Sequence, residues 1–206
     1  MRFRSVVGGL AAAGVLFAAP ALAIEAQQVA EKLNFDQDKT KVGLDVRLGL
    51  GGMTGEIGER TGAGPLLGIA AGAQPWRALG IELGYEGQRL PINDELVGDD
   101  EAVYRHNVGL MAKAGPLLNE KWRPFVGVGA GVSYLNVTDG ADLYYRNDFV
   151  SEVPLAAGVD YRLGNLFAGA RATYRLLYGE EFANNAVSGT ADGNLFNASI
   201  TLGGRF

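Results

Sequence analysis

The sequence predicts an all-β chain folded as an eight-stranded antiparallel up-and-down transmembrane β-barrel. Three observations predict it. From Lys41 onward the residues alternate in eight segments, and one face of every segment is free of Asp, Glu, Lys and Arg. The opposite faces are crowded with glycine, part of a total of 31 glycines in 206 residues, about twice ordinary usage. The connections between segments alternate between long and short.

Composition narrows the field. Apolar residues make up 48% and charged residues 20%, too apolar for a disordered chain and too polar for a bundle of membrane helices. The glycines follow no Gly-X-Y period, which excludes collagen. With no cysteine there are no disulfides, zinc-thiolate sites, thiol catalysis or acylated lipoprotein cysteine. The net charge of −5 offers no basic field to nucleic acid.

Residues 1–23 read as a secretory signal peptide. Met1-Arg2-Phe3-Arg4 supplies a positive start, Val6 to Ala19 an apolar run, and Ala21-Leu22-Ala23 a small-residue cleavage pattern. The run is shorter than the roughly 20 residues of a spanning helix. Cleavage after Ala23 takes two arginines and no acid, leaving the exported chain more acidic. Residues 24–40 form an N-terminal periplasmic segment. Ala26, Val29, Ala30 and Leu33 have helical spacing there, although a flexible leader is the preferred reading.

The barrel occupies 41–206. Its first strand sets Val42, Leu44, Val46, Leu48 and Leu50 against Gly43, Asp45, Arg47, Gly49 and Gly51. The second has Leu67, Ile69, Ala71 and Ala73 on its apolar face. The third sets Leu79, Ile81, Leu83 and Tyr85 against Gly80, Glu82, Gly84 and Glu86. The fourth sets Tyr104, Val108, Leu110, Ala112 and Ala114 against Arg105, Asn107 and Lys113. The fifth runs from Val126 to Tyr134, with Gly127, Gly129, Gly131 and Ser133 on its polar side. In the sixth, Val153, Leu155, Ala157, Val159 and Tyr161 oppose Glu152, Gly158, Asp160 and Arg162. The seventh alternates from Leu166 to Tyr178, opposing Gly169, Arg171, Thr173 and Arg175. The eighth alternates from Phe196 to Phe206, opposing Asn197, Ser199, Thr201 and Arg205.

A β-sandwich or lipocalin-like barrel also alternates. Side-chain size separates the cases. A water-facing surface has no steric need for glycine, whereas the inside of a narrow barrel does: inward glycines leave room for long residues from across the lumen. The polar faces therefore point inward and the apolar faces outward into lipid.

The first, third, fifth and seventh connections run to roughly 13–16 residues and the others to roughly 3–9, the asymmetry of long outer loops and short periplasmic turns. Outward aromatics collect at two levels. Tyr85, Tyr104, Tyr134, Tyr178 and Phe196 fall toward the outer rim, and Trp76, Trp122, Tyr161 and Phe206 toward the periplasmic rim.

The terminal strand, Phe196 to the closing Phe206, resembles the carboxy-terminal assembly signal of bacterial outer-membrane barrels. With the signal peptide and eight strands, residues 41–206 are similar to the small barrels of the OmpA-transmembrane-domain, OmpX and opacity type. The resemblance implies a bacterial outer-membrane location and, as partners, membrane lipid, lipopolysaccharide and the barrel-assembly machinery, with Phe206 as assembly signal. The chain stops at Phe206, so no peptidoglycan-binding domain of the OmpA kind is expected.

An eight-stranded barrel has room inside for side chains only. The inward cations are Arg47, Arg105, Lys113, Arg162, Arg171, Arg175 and Arg205; the inward anions are Asp45, Glu82, Glu86, Glu152 and Asp160. Gly164-Asn165 reads as a two-residue hairpin turn pairing Leu163 with Leu166. That register places Glu152 diagonal to Arg175 and Asp160 diagonal to Arg171, and predicts both ion pairs. The network reads as a packed plug rather than a gate for small solutes.

Other candidates carry less. His106, the single histidine, lacks a neighbouring serine, and its parity turns it away from the lumen near a strand end. The resemblance to lipid A deacylase barrels fails on that missing His-x-Ser pattern. The run Gly127 to Gly131 lies in a strand with no helix after it, so it is not a phosphate loop. The sequons at Asn136 and Asn197 mean little in a bacterial barrel. Asp94, Glu95, Asp99, Asp100 and Glu101 could bind divalent cations, but read as a solvated acidic loop. Tyr144-Tyr145-Arg146 could anchor a partner, but reads as local loop packing. No cofactor, metal or catalytic residue is expected. The function expected is a non-enzymatic integral outer-membrane protein with a structural or surface-interaction role, its long loops free to meet an extracellular ligand. A narrow porin-like channel is the alternative, and a lipid A-modifying enzyme comes third.

Overall fold

A computed structural model of the chain describes residues 41–76, 78–93, 101–138, 147–178 and 193–206. The expected leader with its expected cleavage after Ala23, the segment 24–40, Asp94, Glu95, Asp99, Asp100 and Tyr144-Tyr145-Arg146 lie outside them. Eight strands follow one another: β1 (Lys41–Thr54), β2 (Gly64–Gln74), β3 (Leu79–Pro91), β4 (Ala102–Ala114), β5 (Trp122–Val137), β6 (Asp148–Leu163), β7 (Leu166–Tyr178) and β8 (Gly193–Arg205). One short helix, α1 (Gly55–Arg60), follows β1. Each strand pairs antiparallel with its sequence neighbours, and β8 pairs with β1 to close the barrel. The all-β up-and-down barrel is the fold that the alternation predicts.

The register determines the shape. Partners traced around the barrel from Val42 run through Ala73, Ile81, Ala112, Val128, Leu155, Tyr174 and Phe196, and return to β1 at Gly52. A stagger of that size over eight strands tilts them by about 41° and gives a backbone radius of about 8 Å. Nothing wider than a layer of side chains fits inside.

The two faces are inverted relative to a soluble barrel. Leu48, Leu110 and Leu202 are 53%, 53% and 61% exposed, while Arg105 and Glu152 are 0% and 1% exposed. Among the described residues no helix is long and apolar enough to cross a membrane. Crossing falls to the strands, whose closed ladder satisfies the backbone without water.

Several strands reach further than their alternation suggests. β1 continues to Thr54 and β2 begins at Gly64, so the first connection is 55–63 and the third is 92–101, both shorter than expected. The long–short asymmetry survives, since the intervening turns are 75–78, 115–121 and 164–165. In the tightest, Gly164 has φ +64° and Leu163 pairs with Leu166, the geometry of a II′ hairpin that needs glycine first.

At the end carrying the long connections, the lumen is apolar. Leu90, Ile92, Val103, Leu135, Val137, Val150, Leu177 and Leu195 turn inward and meet Met53 and Ile57 in one buried cluster. Ile57 arrives from α1, and Gly193 makes room for it: a Cβ there would lie 2.6 Å from Ile57 Cδ1. This apolar cap was not expected from the alternation.

Aromatic side chains ring the exterior. Trp76, Trp122 and Phe206 are exposed at the turn end, with the Trp122 and Tyr161 rings 4.7 Å apart. Tyr104, Phe149, Tyr178 and Phe196 are exposed toward the loop end, where Tyr134 lies 4.8 Å from Phe149. At about 2.5 Å of climb per residue, these levels stand about 30 Å apart, the spacing of interfacial girdles around an outer-membrane barrel. Tyr85 differs from its expected place. Its partners are Ile69 and Val108, which puts it near mid-height rather than at the rim.

The charged lumen as candidate functional site

Beneath the apolar cap the lumen is ionised, in three layers. The upper layer joins β3, β4, β6 and β7. Arg105 donates from Nε and Nη2 to the two oxygens of Glu152 at 2.7 and 2.6 Å, and from Nη1 to Glu86 at 2.8 Å. Arg175 closes the ring, donating to Glu152 at 3.1 Å and Glu86 at 2.9 Å. Asn107 and Ser133 donate to Glu152, and Asn197 donates to Glu86 at 3.1 Å. Two carboxylates and two guanidiniums are thereby neutralised, with the carboxylate lone pairs also filled by neutral donors. Burying charge is tolerable only in such an arrangement.

The middle layer is centred on Glu82. Arg171 holds it with two bonds of 2.9 Å, Lys113 Nζ approaches at 2.9 Å, and Arg47 pairs with it while donating from Nε to Asp45 at 3.0 Å. Phe125 lies below, with Lys113 4.9 Å and the Arg171 guanidinium 5.3 Å from its ring centre. Glu82 and Glu86 share the inward parity of β3, so one strand supplies the hub of both layers.

The lowest layer lies at the periplasmic mouth. Arg162 and Arg205 both donate to the Gln74 amide oxygen, at 2.8 and 3.3 Å. Arg205 also stacks over Phe167, 5.2 Å from its centre. Arg123 completes the group, 2% exposed and directly opposite Asp160 across the β5–β6 ladder.

Glycines make this packing possible. A Cβ at Gly68 would lie 3.6 Å from the Arg47 stem, one at Gly80 3.7 Å from the Arg123 guanidinium, and one at Gly43 3.6 Å from the Arg205 stem. Each slot receives an arginine from another strand.

Of the two ion pairs derived from the hairpin register, Glu152–Arg175 forms. Asp160–Arg171 does not. Arg171 reaches across the lumen to Glu82, which offers two oxygens in a fork, and Asp160 lies 3.9 Å from Lys113 instead. Cross-lumen distance defeats ladder adjacency there. Arg123 was missed because the fifth strand was begun at Val126; the parity it shares with Gly127 was the available signal. The inward apolar residues escape the sequence for the same reason, since most lie beyond the strand ends that the alternation marks.

His106 faces outward, as its parity requires, but sits five residues into β4 rather than at the strand end. Its Nδ1 lies 2.7 Å from the Tyr85 hydroxyl, so the two polar groups on the lipid face satisfy each other. Glu101, the described member of the acidic loop, accepts from the Thr138 hydroxyl.

A closed antiparallel barrel with a hydrocarbon-wetted exterior and an ionised interior defines an integral membrane β-barrel. The chain belongs to the family of the outer membrane protein beta-barrel domain, whose profile matches residues 9–206. That family places it in the bacterial outer membrane. Solved structures agree on the fold. Neisserial surface protein A is 16% identical with a TM-score of 0.57, the match covering 81% of this chain and 97% of that one. OprG from Pseudomonas aeruginosa is 11% identical with a TM-score of 0.51, covering 81% and 95%. Among curated proteins, none matches the chain.

Proposed function

We propose that the chain is a non-enzymatic outer-membrane barrel whose work is done by its scaffold and outer loops, not by transport through its lumen. The observation that carries this reading is the double seal. An apolar plug of ten side chains closes the loop end, and two neutralised ion-pair layers fill the section below it. An ion entering from the loop side would meet a dewetted constriction and then have to displace Arg105 from a bidentate carboxylate. Support for a non-catalytic role comes from His106, which faces lipid and whose Nδ1 is engaged by the Tyr85 hydroxyl, away from the charged lumen.

The proposed partners follow from location: lipid and lipopolysaccharide around the barrel, the assembly machinery at the terminal strand, and an extracellular ligand at the long loops. Planar-bilayer recording tests the reading. Insertion of the purified barrel is expected to add almost no conductance. Steady single-channel steps would overturn it in favour of a narrow porin. Unchanged mass of lipid A after incubation is expected alongside.

A further inference from the structure

The described lumen-facing residues are not electrically balanced. In the upper layer Glu86 and Glu152 match Arg105 and Arg175. In the middle layer Asp45 and Glu82, with Asp160 beside Lys113, match Arg47, Lys113 and Arg171. What remains is Arg123, Arg162 and Arg205, gathered at the periplasmic mouth from β5, β6 and β8. They are near enough to repel one another. Asp160 is the nearest acid, and it is shared with Lys113.

Arg162 and Arg205 share one neutral acceptor, the Gln74 oxygen, and Arg205 also lies over the Phe167 ring. Arg123 has less: it is 2% exposed, and its Nε and Nη2 have no hydrogen-bond partner, nor has the Nε of Arg162. Single guanidinium nitrogens of Arg47, Arg171 and Arg175 are unfilled as well, but each of those arginines holds a carboxylate, whereas Arg123 holds none among the described residues. Buried donors left unfilled cost about 1–3 kcal/mol each, more when charged, which favours an acceptor at this mouth.

We propose that this mouth is a binding site for a small phosphate-class oxyanion. Guanidinium forks match the oxygens of phosphate, and three cations converging from three strands suit a multivalent tetrahedral anion better than a chloride. The layer lies at the level of the Trp76, Trp122 and Phe206 belt, so the phosphate can come from the periplasm or from the headgroup of an inner-leaflet lipid. Either source offers the same oxygens.

The experiment uses the folded barrel in maltoside detergent, which contains no phosphate. Inorganic phosphate is titrated against chloride at fixed ionic strength, and binding is read by calorimetry and by the heat-unfolding midpoint on gels. Saturable binding with a rising midpoint is expected. Arg123→Gln is expected to weaken it about tenfold, with folding checked by the shift between boiled and unboiled samples. Arg162→Lys, which keeps the charge but loses the fork, is expected to weaken it less. Arg89→Gln, an equal charge loss at the loop end of β3, should leave it unchanged. Repeating the titration in phosphatidylglycerol nanodiscs separates the sources: a lost phosphate response supports the site with a lipid headgroup as occupant, and a retained one supports it with the free anion. No saturable response in detergent would overturn the proposal, as would equal losses in Arg123→Gln and Arg89→Gln.

Discussion

Glu152 shows how much one side chain supports inside this barrel. It is 1% exposed and receives Arg105, Arg175, Asn107 and Ser133. Glu152→Gln keeps the shape but removes the charge, leaving Arg105 buried with Glu86 as its one carboxylate. Breaking a buried pair from one side costs about 3–5 kcal/mol, because the partner stays charged and desolvated. A loss of that size is expected in urea unfolding followed by tryptophan fluorescence, for which Trp76 and Trp122 are the only reporters. A change under 1 kcal/mol would mean that water enters the upper layer and screens it.

At the level of the strand, glycine positions control what the opposite wall can place in the lumen. Gly158 on β6 lies against Phe125 on β5, and a Cβ built there would stand 2.4 Å from the Ala170 carbonyl oxygen and 2.7 Å from the Phe125 ring. Phe125 in turn underlies Lys113 and Arg171. Gly158→Leu is therefore expected to push the ring upward and disturb the middle layer, costing about 1–3 kcal/mol or more as overpacking does. The readout is a lower heat-unfolding midpoint with the unboiled gel shift retained. Gly164 illustrates the other use of the residue, since its φ of +64° starts the turn that aligns β6 with β7.

For the whole molecule, the decisive property is which side of the sheet meets hydrocarbon. Leu110 on β4 is 53% exposed at about mid-height, while Leu135 on β5 is fully buried within the apolar cap. The inverted topology assigns them opposite sensitivities. Leu110→Arg is expected to cost about 2–4 kcal/mol, the penalty for a cation on the lipid face at the midplane. Leu110→Ala should cost little, while Leu135→Ala should cost about 2–5 kcal/mol through a cavity in the cap. Equilibrium unfolding of the three variants in lipid vesicles checks the pattern. A severe Leu110→Ala with a mild Leu135→Ala would place the dry core on the wrong side.

Much of this architecture could be read from the chain because parity is local. A residue's face follows from its own position in a strand, so Asp45, Arg47, Glu82 and Glu152 declare themselves inward without knowledge of their partners. Alternation likewise carries the strand number, the lipid-facing rows and the asymmetry of the connections. Partner choice is not local. Arg171 takes Glu82 rather than the nearer-in-sequence Asp160 because the stagger and the narrow radius bring β7 and β3 within the combined reach of an arginine and a glutamate across the axis. The apolar cap, the entry of Ile57 from α1, and the gathering of Arg123, Arg162 and Arg205 at one mouth depend on the same closure. Periodicity reports which way each side chain points; only the closed cylinder brings together those that point the same way.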